Sequence, residues 1–259
     1  GGSCMANTIT IDLNCDLGEA AGHDLELLPL VSSANIACGA HAGDAQTMAA
    51  TATAARRHRV QIGAHPGHAD RRHFGRREIS LTPDQAASLV VGQVHLLEKV
   101  IGGGISHVKL HGGLYHQVAR EASLARAVAS AMQRHFPAVR LVLPAGSLAV
   151  RICRDKDVTV IEEAFADRAY ADNGTLLPRS RPNAVLGDHR AIARQAVRLV
   201  TERIVTSTGG RELPLHADTL CIHGDGPDPA GCLRAVRDAL SAAGVVVRPP
   251  ADRDSQTPR

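Results

Sequence analysis

The stretch Asp12-Leu13-Asn14-Cys15-Asp16-Leu17-Gly18-Glu19 alternates polar and apolar residues over its first six positions. Side chains along a β-strand point to opposite faces with a period of two. Asp12, Asn14 and Asp16 therefore share one face, and Leu13, Cys15 and Leu17 the other. Polar side chains on a buried strand need hydrogen-bond partners, and the lumen or mouth of a barrel is where a strand finds them. No GxGxxG follows this strand, so the dinucleotide-binding form of an open α/β sheet lacks its fingerprint.

Outward from this stretch, short β-branched runs alternate with longer Ala/Arg/Leu runs, the pattern of βα units around a parallel sheet. Strands are predicted near Thr8–Leu13, Ala34–Cys38, Val60–Ala64, His107–Leu110, Arg140–Leu143, Val158–Glu162, Thr219–Ile222 and Gly244–Val247. Helices are predicted between most of them, including Ala45–Arg59 and Ile192–Val205. Thr82-Pro83-Asp84-Gln85 is a helix start with Thr as N-cap, Pro at the first position and Gln three after the cap. Asp228-Pro229 opens the last helix in the same manner. About eight strands in this order imply a closed or nearly closed α/β barrel, with a doubly wound open sheet as the alternative. With no Pro/Ser/Gly-rich linker, residues 5–248 are expected to form one catalytic domain. Gly1-Gly2-Ser3-Cys4 reads as an expression scar before Met5, and residues 249–259 as a polar tail.

Composition narrows the function classes. The 259 residues include no Trp, two Tyr and three Phe, too few rings for a stacking platform that binds single-stranded nucleic acid or a long sugar chain. The net charge of +3, from 29 basic and 26 acidic residues, argues against a nucleic-acid or membrane-surface partner. No apolar run has the roughly 18 residues of a membrane helix. Six cysteines without CxxC spacing, three of them (Cys15, Cys38, Cys221) in apolar runs, favour a reducing, cytoplasmic setting.

Histidine, at 14 copies, is frequent, and its placement is regular. Gly39-Ala40-His41-Ala42-Gly43 and Gly63-Ala64-His65-Pro66-Gly67 repeat a small-His-small frame at strand ends. His111-Gly112 and His223-Gly224 close two further strands. In α/β barrels and open sheets the C-terminal strand ends form one rim, where ligands and catalytic groups gather. Asp16, Glu19, Asp44, Glu163, Asp167 and Asp225 fall on the same rim, and Lys109 precedes His111 by two residues. Singly, these residues have plainer readings. Asp44 also suits an N-cap, Asp12 a partner for buried backbone, and a His beside Gly a hydrogen-bonded turn. His23, His58, His95, His135 and His216 lie away from the rim and read as solvated. As a set, the rim suits two chemistries. In one, a carboxylate or His activates water while Lys109 or an Arg stabilises an oxyanion. In the other, two or three His with Asp16 hold a divalent ion that acidifies bound water. No HExxH helix and no GxxxxGK[ST] loop is present.

Eight ordered segments resemble the LamB/YcsF family: Asp12-Leu-Asn-Cys-Asp-Leu-Gly-Glu19, Ser33-Ala-Asn-Ile-Ala-Cys-Gly-Ala-His-Ala-Gly-Asp44, Ile62-Gly-Ala-His-Pro66, Phe74-Gly-Arg76, Val108-Lys-Leu-His-Gly-Gly-Leu-Tyr115, Phe165-Ala-Asp-Arg168, Pro178-Arg179 and Cys221-Ile-His-Gly-Asp225. The resemblance spans about Ile11 to Val247. It implies an irregular (β/α) barrel similar to the glycoside hydrolase/deacetylase superfamily. It also implies ATP-dependent 5-oxoprolinase activity, opening of the 5-oxoproline lactam to L-glutamate, shared with partner subunits B and C. ATP chemistry would then sit mainly on the partners, in keeping with the missing phosphate loop. The resemblance places Asp16, Glu19, Lys109, His111, Glu163 and Asp225 in catalysis and Asn14, Asp44, Arg76, Tyr115, Arg168 and Arg179 around the substrate. His41, His65, His223 and Asp16 become candidate ligands for a divalent metal.

The departures from the family pattern lie at the rim. Lys109-Leu110-His111-Gly112 stands where Lys-Pro-His-Gly is usual, Ala169 where Gly is usual, and His116 for a common Asn. Gly67-His68-Ala69-Asp70 replaces a segment that carries an aromatic and a second proline. Two rivals are a metal-dependent deacetylase or amidase acting alone, and a non-catalytic regulatory subunit.

Overall fold

In the computed structural model, which describes residues 8–20, 22–224 and 226–250, the barrel closes on β1 (Thr10–Leu17). This strand pairs in parallel with β2 (Ser33–Ala37) on one side and with β9 (Thr219–Cys221) on the other. Between them run β3 (Gln61–His65), β4 (His107–Lys109), β5 (Arg140–Pro144) and β6 (Val160–Phe165), each parallel to its neighbours, so that seven staves close into a ring. The helices are α1 (Asp24–Leu27), α2 (Ala45–Arg57), α3 (Pro83–Ile101), α4 (Gly112–Arg120), α5 (Ala122–His135), α6 (Leu148–Arg154), α7 (His189–Thr201) and α8 (Pro229–Ala242). A hairpin of β7 (Ile204–Thr206) and β8 (Glu212–Pro214) lies apart from the ring. The two residues of β10 (Val246–Val247) extend the N-terminal end of β1 through the pairs Thr10↔Val246 and Ile11↔Val247.

Three sequence expectations change. β1 continues to Leu17 instead of ending at Leu13, because Asn14 and Asp16 find partners inside the barrel and the alternation runs on unbroken. The helix expected to reach Val205 stops at Thr201. The β-branched Ile204 and Val205 are drawn into the hairpin, where Val205 is buried. The last predicted strand is not a stave but an addition to β1, leaving seven staves where about eight were expected.

Helix ends follow local chemistry. The Thr82 hydroxyl accepts from the Gln85 N–H while the Gln85 side chain accepts from the Thr82 N–H, a complete capping box that starts α3. Asp44, Asp188 and Asp228 cap α2, α7 and α8.

The period of β1 divides the interior into two environments. Leu13, Cys15 and Leu17 belong to the apolar core, joined there by residues such as Val90, Val94 and Leu97 of α3. Asp12 and Asn14 face the lumen with Ser33, Asn35, His107 and Thr219. Deep in it, Asp12 accepts hydroxyl hydrogen bonds from Ser32, Ser33 and Thr219 at 2.6–2.8 Å, side-chain partners where buried backbone was expected. Burial pushes its carboxyl pKa up from the usual range. Cys15, Cys38, Cys153, Cys221 and Cys232 are free and buried. Among the described residues no helix is long and apolar enough to cross a membrane.

Candidate active site

The C-terminal strand ends bring most of the predicted rim residues together. At the centre is Lys109, the last residue of β4, with its side chain 3 % exposed. Its ammonium donates to Asp16 Oδ1 at 3.0 Å, Glu163 Oε1 at 2.9 Å and Asn14 Oδ1 at 3.2 Å, and it lies 3.1 Å from Cys221 Sγ. Burial alone would lower the pKa of such a lysine, but Asp16 and Glu163 outweigh it and hold the pKa well above the ordinary lysine range. Burial opposes ionisation of Asp16 too, yet the charges of His65 and Lys109 hold its carboxyl well below the usual range. Tyr115, on α4, donates its hydroxyl to Glu163 Oε2 at 2.6 Å, and Asn14 donates to Glu163 Oε1. The Lys109 ammonium also sits 5.6 Å from the centre of the Phe165 ring.

Beside this clamp is a cluster of Glu19, His41, His65 and His111, whose ligating atoms lie within 4.8 Å of one another. His65 Nδ1 is 2.8 Å from the Lys109 carbonyl and His111 Nε2 is 2.8 Å from the Phe74 carbonyl. A carbonyl only accepts, so both of these nitrogens carry hydrogen. The remaining nitrogens, His65 Nε2 and His111 Nδ1, face each other at 2.9 Å and would both be bare lone pairs if the rings were neutral. A proton or a cation must lie between them. Glu19 Oε1 closes the cluster, 3.0 Å from His41 Nε2 and 3.4 Å from His111 Nδ1. The His41 and His111 rings stack at 3.8 Å between centroids. Burial and the charge of His65 push His41 down to about 3 and His111 down to about 2. His65 is different: burial lowers its pKa, but Asp16 and Glu19 together raise it above the ordinary value.

Two glycines make this packing possible. A Cβ on Gly67 would lie 2.9 Å from His41 Nδ1, and one on Gly75 would lie 2.8 Å from His41 Cβ. Arg71 donates to the Gly39 and Gly43 carbonyls on either side of His41, tying that loop to the segment that carries Phe74.

On the opposite side of the clamp, Asp167 receives both the His223 backbone N–H at 2.9 Å and His223 Nδ1 at 2.8 Å. The carboxylate fixes the ring with hydrogen on Nδ1 and leaves Nε2 as the exchangeable nitrogen. Burial raises the Asp167 pKa, but the partnership with His223 outweighs it and the net shift is downward. The ring stacks on Phe165 at 5.7 Å.

The remaining predicted residues divide between site and scaffold. Asp16, Glu19, Lys109, His111, Glu163, Asn14 and Tyr115 meet in the centre. Of the four predicted metal ligands, only His41 and His65 enter the compact cluster. Glu19 and His111 take the other two places, while Asp16 and His223 fall in a second group with Cys221, Asp16 giving Oδ1 to Lys109 and keeping Oδ2 3.3 Å from His65 Nε2. Asp44 is exposed and accepts from the Thr47 N–H, as an N-cap. Arg168 is buried and gives its guanidinium to the Ala184 and Leu177 carbonyls, which makes it a fastener of the 168–184 loop. Arg76 is exposed, 5.1 Å over the Phe74 ring, and Arg179 is half-buried near Asp167 and Arg168. Asp225 lies outside the described residues. His216, read as solvated, is half-buried, and its Nδ1 is enclosed without a hydrogen-bond partner. Residues that the sequence reading passed over are Asn35 and His107 in the lumen and the carbonyl of Phe74. Asn35 had a signal: it follows Ser33 at period two on a fully buried strand, the same reasoning that drew attention to Asn14.

Residues 11–255 match the model of the LamB/YcsF family. The chain belongs to the LamB/YcsF family. A relative from Methylococcus capsulatus, named as the A subunit of 5-oxoprolinase, is 45 % identical over 246 residues, covering 92 % of this chain and 95 % of its own. The crystal structure of a lactam utilization protein from Thermus thermophilus superposes with a TM-score of 0.87 at 42 % identity, covering 93 % of this chain and 99 % of the other. A family 4 carbohydrate esterase from Streptomyces lividans matches with a TM-score of 0.51 at 11 % identity, over 93 % of each chain. That likeness concerns the fold: the LamB/YcsF chain shares its irregular barrel with deacetylase-type enzymes.

Proposed function

We propose that this chain is the A subunit of an ATP-dependent 5-oxoprolinase, hydrolysing 5-oxo-L-proline to L-glutamate together with partner subunits B and C in the cytoplasm. The observation that carries the reading is the buried Lys109 ammonium clamped between Asp16 and Glu163. It sits in a chain whose family relatives are named for this activity. A five-membered lactam recloses readily because its amine and carboxyl are held at high effective molarity, so opening it calls for an energetic drive. Phosphorylation of the lactam oxygen by the partners would supply that drive and make the carbonyl carbon a better electrophile.

Within this chain, Lys109 offers fixed positive charge to the oxyanion or phosphoryl oxygens that develop on water attack. His223, held by Asp167 with hydrogen on Nδ1, accepts a proton at Nε2 and returns it to the departing ring nitrogen. Tyr115 and Asn14 hold Glu163 in place against Lys109. The facing lone pairs of His65 and His111, with His41 and Glu19, fit a divalent metal, since both second nitrogens are already committed to backbone carbonyls. A metal bound there would supply Lewis acidity and a more acidic water.

The test is glutamate release from 5-oxoproline and ATP with the chain alone, with subunits B and C, and with a chelator added. Glutamate is expected only when all three subunits and ATP are present, and Lys109→Ala is expected to abolish it. Near-normal turnover in that variant would remove Lys109 from the mechanism. Amide hydrolysis by the chain alone, dependent on metal and independent of ATP, would instead establish a stand-alone amidase, the second reading that the histidine cluster favours.

A further inference from the structure

His107 is buried, titratable and unused by the mechanism above. It lies below the clamp, in the barrel lumen, with Nε2 2.8 Å from Asn35 Oδ1 and Nδ1 2.8 Å from Ser106 Oγ. Room for the ring depends on Gly63, where a Cβ would stand 2.2 Å from His107 Nε2. The Asn35 amide nitrogen in turn donates to Asp16 Oδ1 at 2.9 Å and Asn14 Oδ1 at 2.8 Å, the same two oxygens that receive Lys109.

We infer that His107 is a positioning residue, which sets the orientation of the Asn35 amide and through it the placement of Asp16 and Asn14 around Lys109. Two hydrogen-bond patterns are self-consistent. In the first, the Ser106 hydroxyl donates to Nδ1, Nε2–H donates to Asn35 Oδ1, and both Asn35 amide hydrogens point at Asp16 and Asn14. In the second, Ser106 donates to the Ile62 carbonyl, which is 3.1 Å away. Nδ1–H then donates to Ser106, bare Nε2 calls for an amide hydrogen, and Asn35 must turn over. Its carbonyl oxygen would then face Asp16 Oδ1 and Asn14 Oδ1. An ionised carboxylate only accepts, so the second pattern sets oxygen against oxygen and the first prevails. Asn14 cannot turn to relieve the conflict, because its own amide hydrogens are engaged by Glu163 Oε1 and Thr219 Oγ1. Burial, aided by the charges of Arg140 and Lys109, pushes His107 down to about 3, so the ring is neutral and its single hydrogen sits on one nitrogen. A neutral imidazole with a fixed tautomer donates on one side and accepts on the other. That is what a group needs in order to hold a neighbouring amide in one orientation.

The experiment combines nitrogen NMR of histidine- and asparagine-labelled protein with turnover in the reconstituted complex, the turnover part resting on the proposed reaction. Wild-type His107 is expected as the neutral Nε2–H tautomer. His107→Leu removes the donor and is expected to shift the Asn35 side-chain amide signals and lower kcat at least tenfold with KM little changed. His107→Gln places an N–H near the position of Nε2 and is expected to restore both. A wild-type ring with hydrogen on Nδ1 overturns the inference, and that measurement needs no variant to fold. Unchanged Asn35 signals in a folded His107→Leu, or a folded His107→Gln as impaired as His107→Leu, also overturn it. Should wild type form no glutamate with its partners, the functional reading fails while the tautomer and amide signals still decide this one.

Discussion

His65 Nε2 and His111 Nδ1 stand 2.9 Å apart, while the opposite nitrogen of each ring donates to a backbone carbonyl, of Lys109 and Phe74 respectively. The backbone thus dictates both tautomers and aims two lone pairs at one point beside Glu19. Purified chain is expected to bind one divalent ion per molecule, read by calorimetric titration with zinc or manganese after chelator treatment. His111→Ala and Glu19→Gln should each weaken binding by more than about tenfold, the lower bound expected for losing a member of a metal site. No heat of binding at millimolar metal would mean that the position between the rings belongs to a proton.

Lys109 balances two buried carboxylates, so its removal has a cost apart from catalysis. Breaking a buried ion pair by deleting one partner typically costs about 3–5 kcal/mol, because the remaining charge is left uncompensated. Lys109→Met should lower stability by roughly that amount in urea unfolding. Adding Asp16→Asn should recover part of the loss, since one stranded charge is then gone. A single variant as stable as wild type would mean that water reaches Asp16 and Glu163 and screens them.

The sequence disclosed the site's parts more readily than their arrangement. Alternation in Asp12–Leu17 and the repeated small-His-small frames were legible because each depends on local geometry, the period of a strand and the close approach that glycine permits. Which imidazoles meet was not legible, since it depends on the rotation of each stave. His223 looked equivalent to His41, but only the fold shows it grouped with Asp16 and Cys221, apart from the Glu19, His41, His65 and His111 cluster. Asp44 and Arg168 occupy motif positions, yet their side chains are spent on backbone groups, a distinction that residue identity does not carry. The β7–β8 hairpin was hidden because Ile204 and Val205 continue an apolar pattern that a helix also satisfies.

Acid should destabilise the protein through its buried neutral histidines, and His107 isolates one contribution. Its pKa falls from 6.5 to about 3 on folding, so the unfolded chain takes up a proton near 6.5 that the folded ring refuses. Stability from this ring is complete above pH 6.5 and is lost as pH falls toward 3. In folded His107→Gln, the slope of unfolding free energy against pH between those limits should shrink by about one proton, roughly 1.4 kcal/mol per pH unit. Denaturant titrations across that range measure it. An unchanged slope would mean that the ring protonates in the folded state.

Gly75 separates backbone strain from site packing. Its φ is +61°, and a Cβ there would lie 2.8 Å from His41 Cβ and 3.0 Å from His111 Cδ2. Gly146 has a similar φ of +70° with nothing within 4 Å of the added Cβ, so it reports the conformational cost alone. Gly146→Ala should lose about 1 kcal/mol, the cost of forcing a side chain into the left-handed region. Gly75→Ala must also push apart the stacked His41 and His111 rings, and overpacking of this kind adds roughly 1–3 kcal/mol. The larger loss should come with weaker divalent-ion binding, because the displaced rings carry two of the cluster's four ligating groups. Gly146→Ala should leave binding unchanged. Thermal melts and metal titrations on both variants make the comparison, and equal losses with equal affinities would show that the loop yields without moving the histidines.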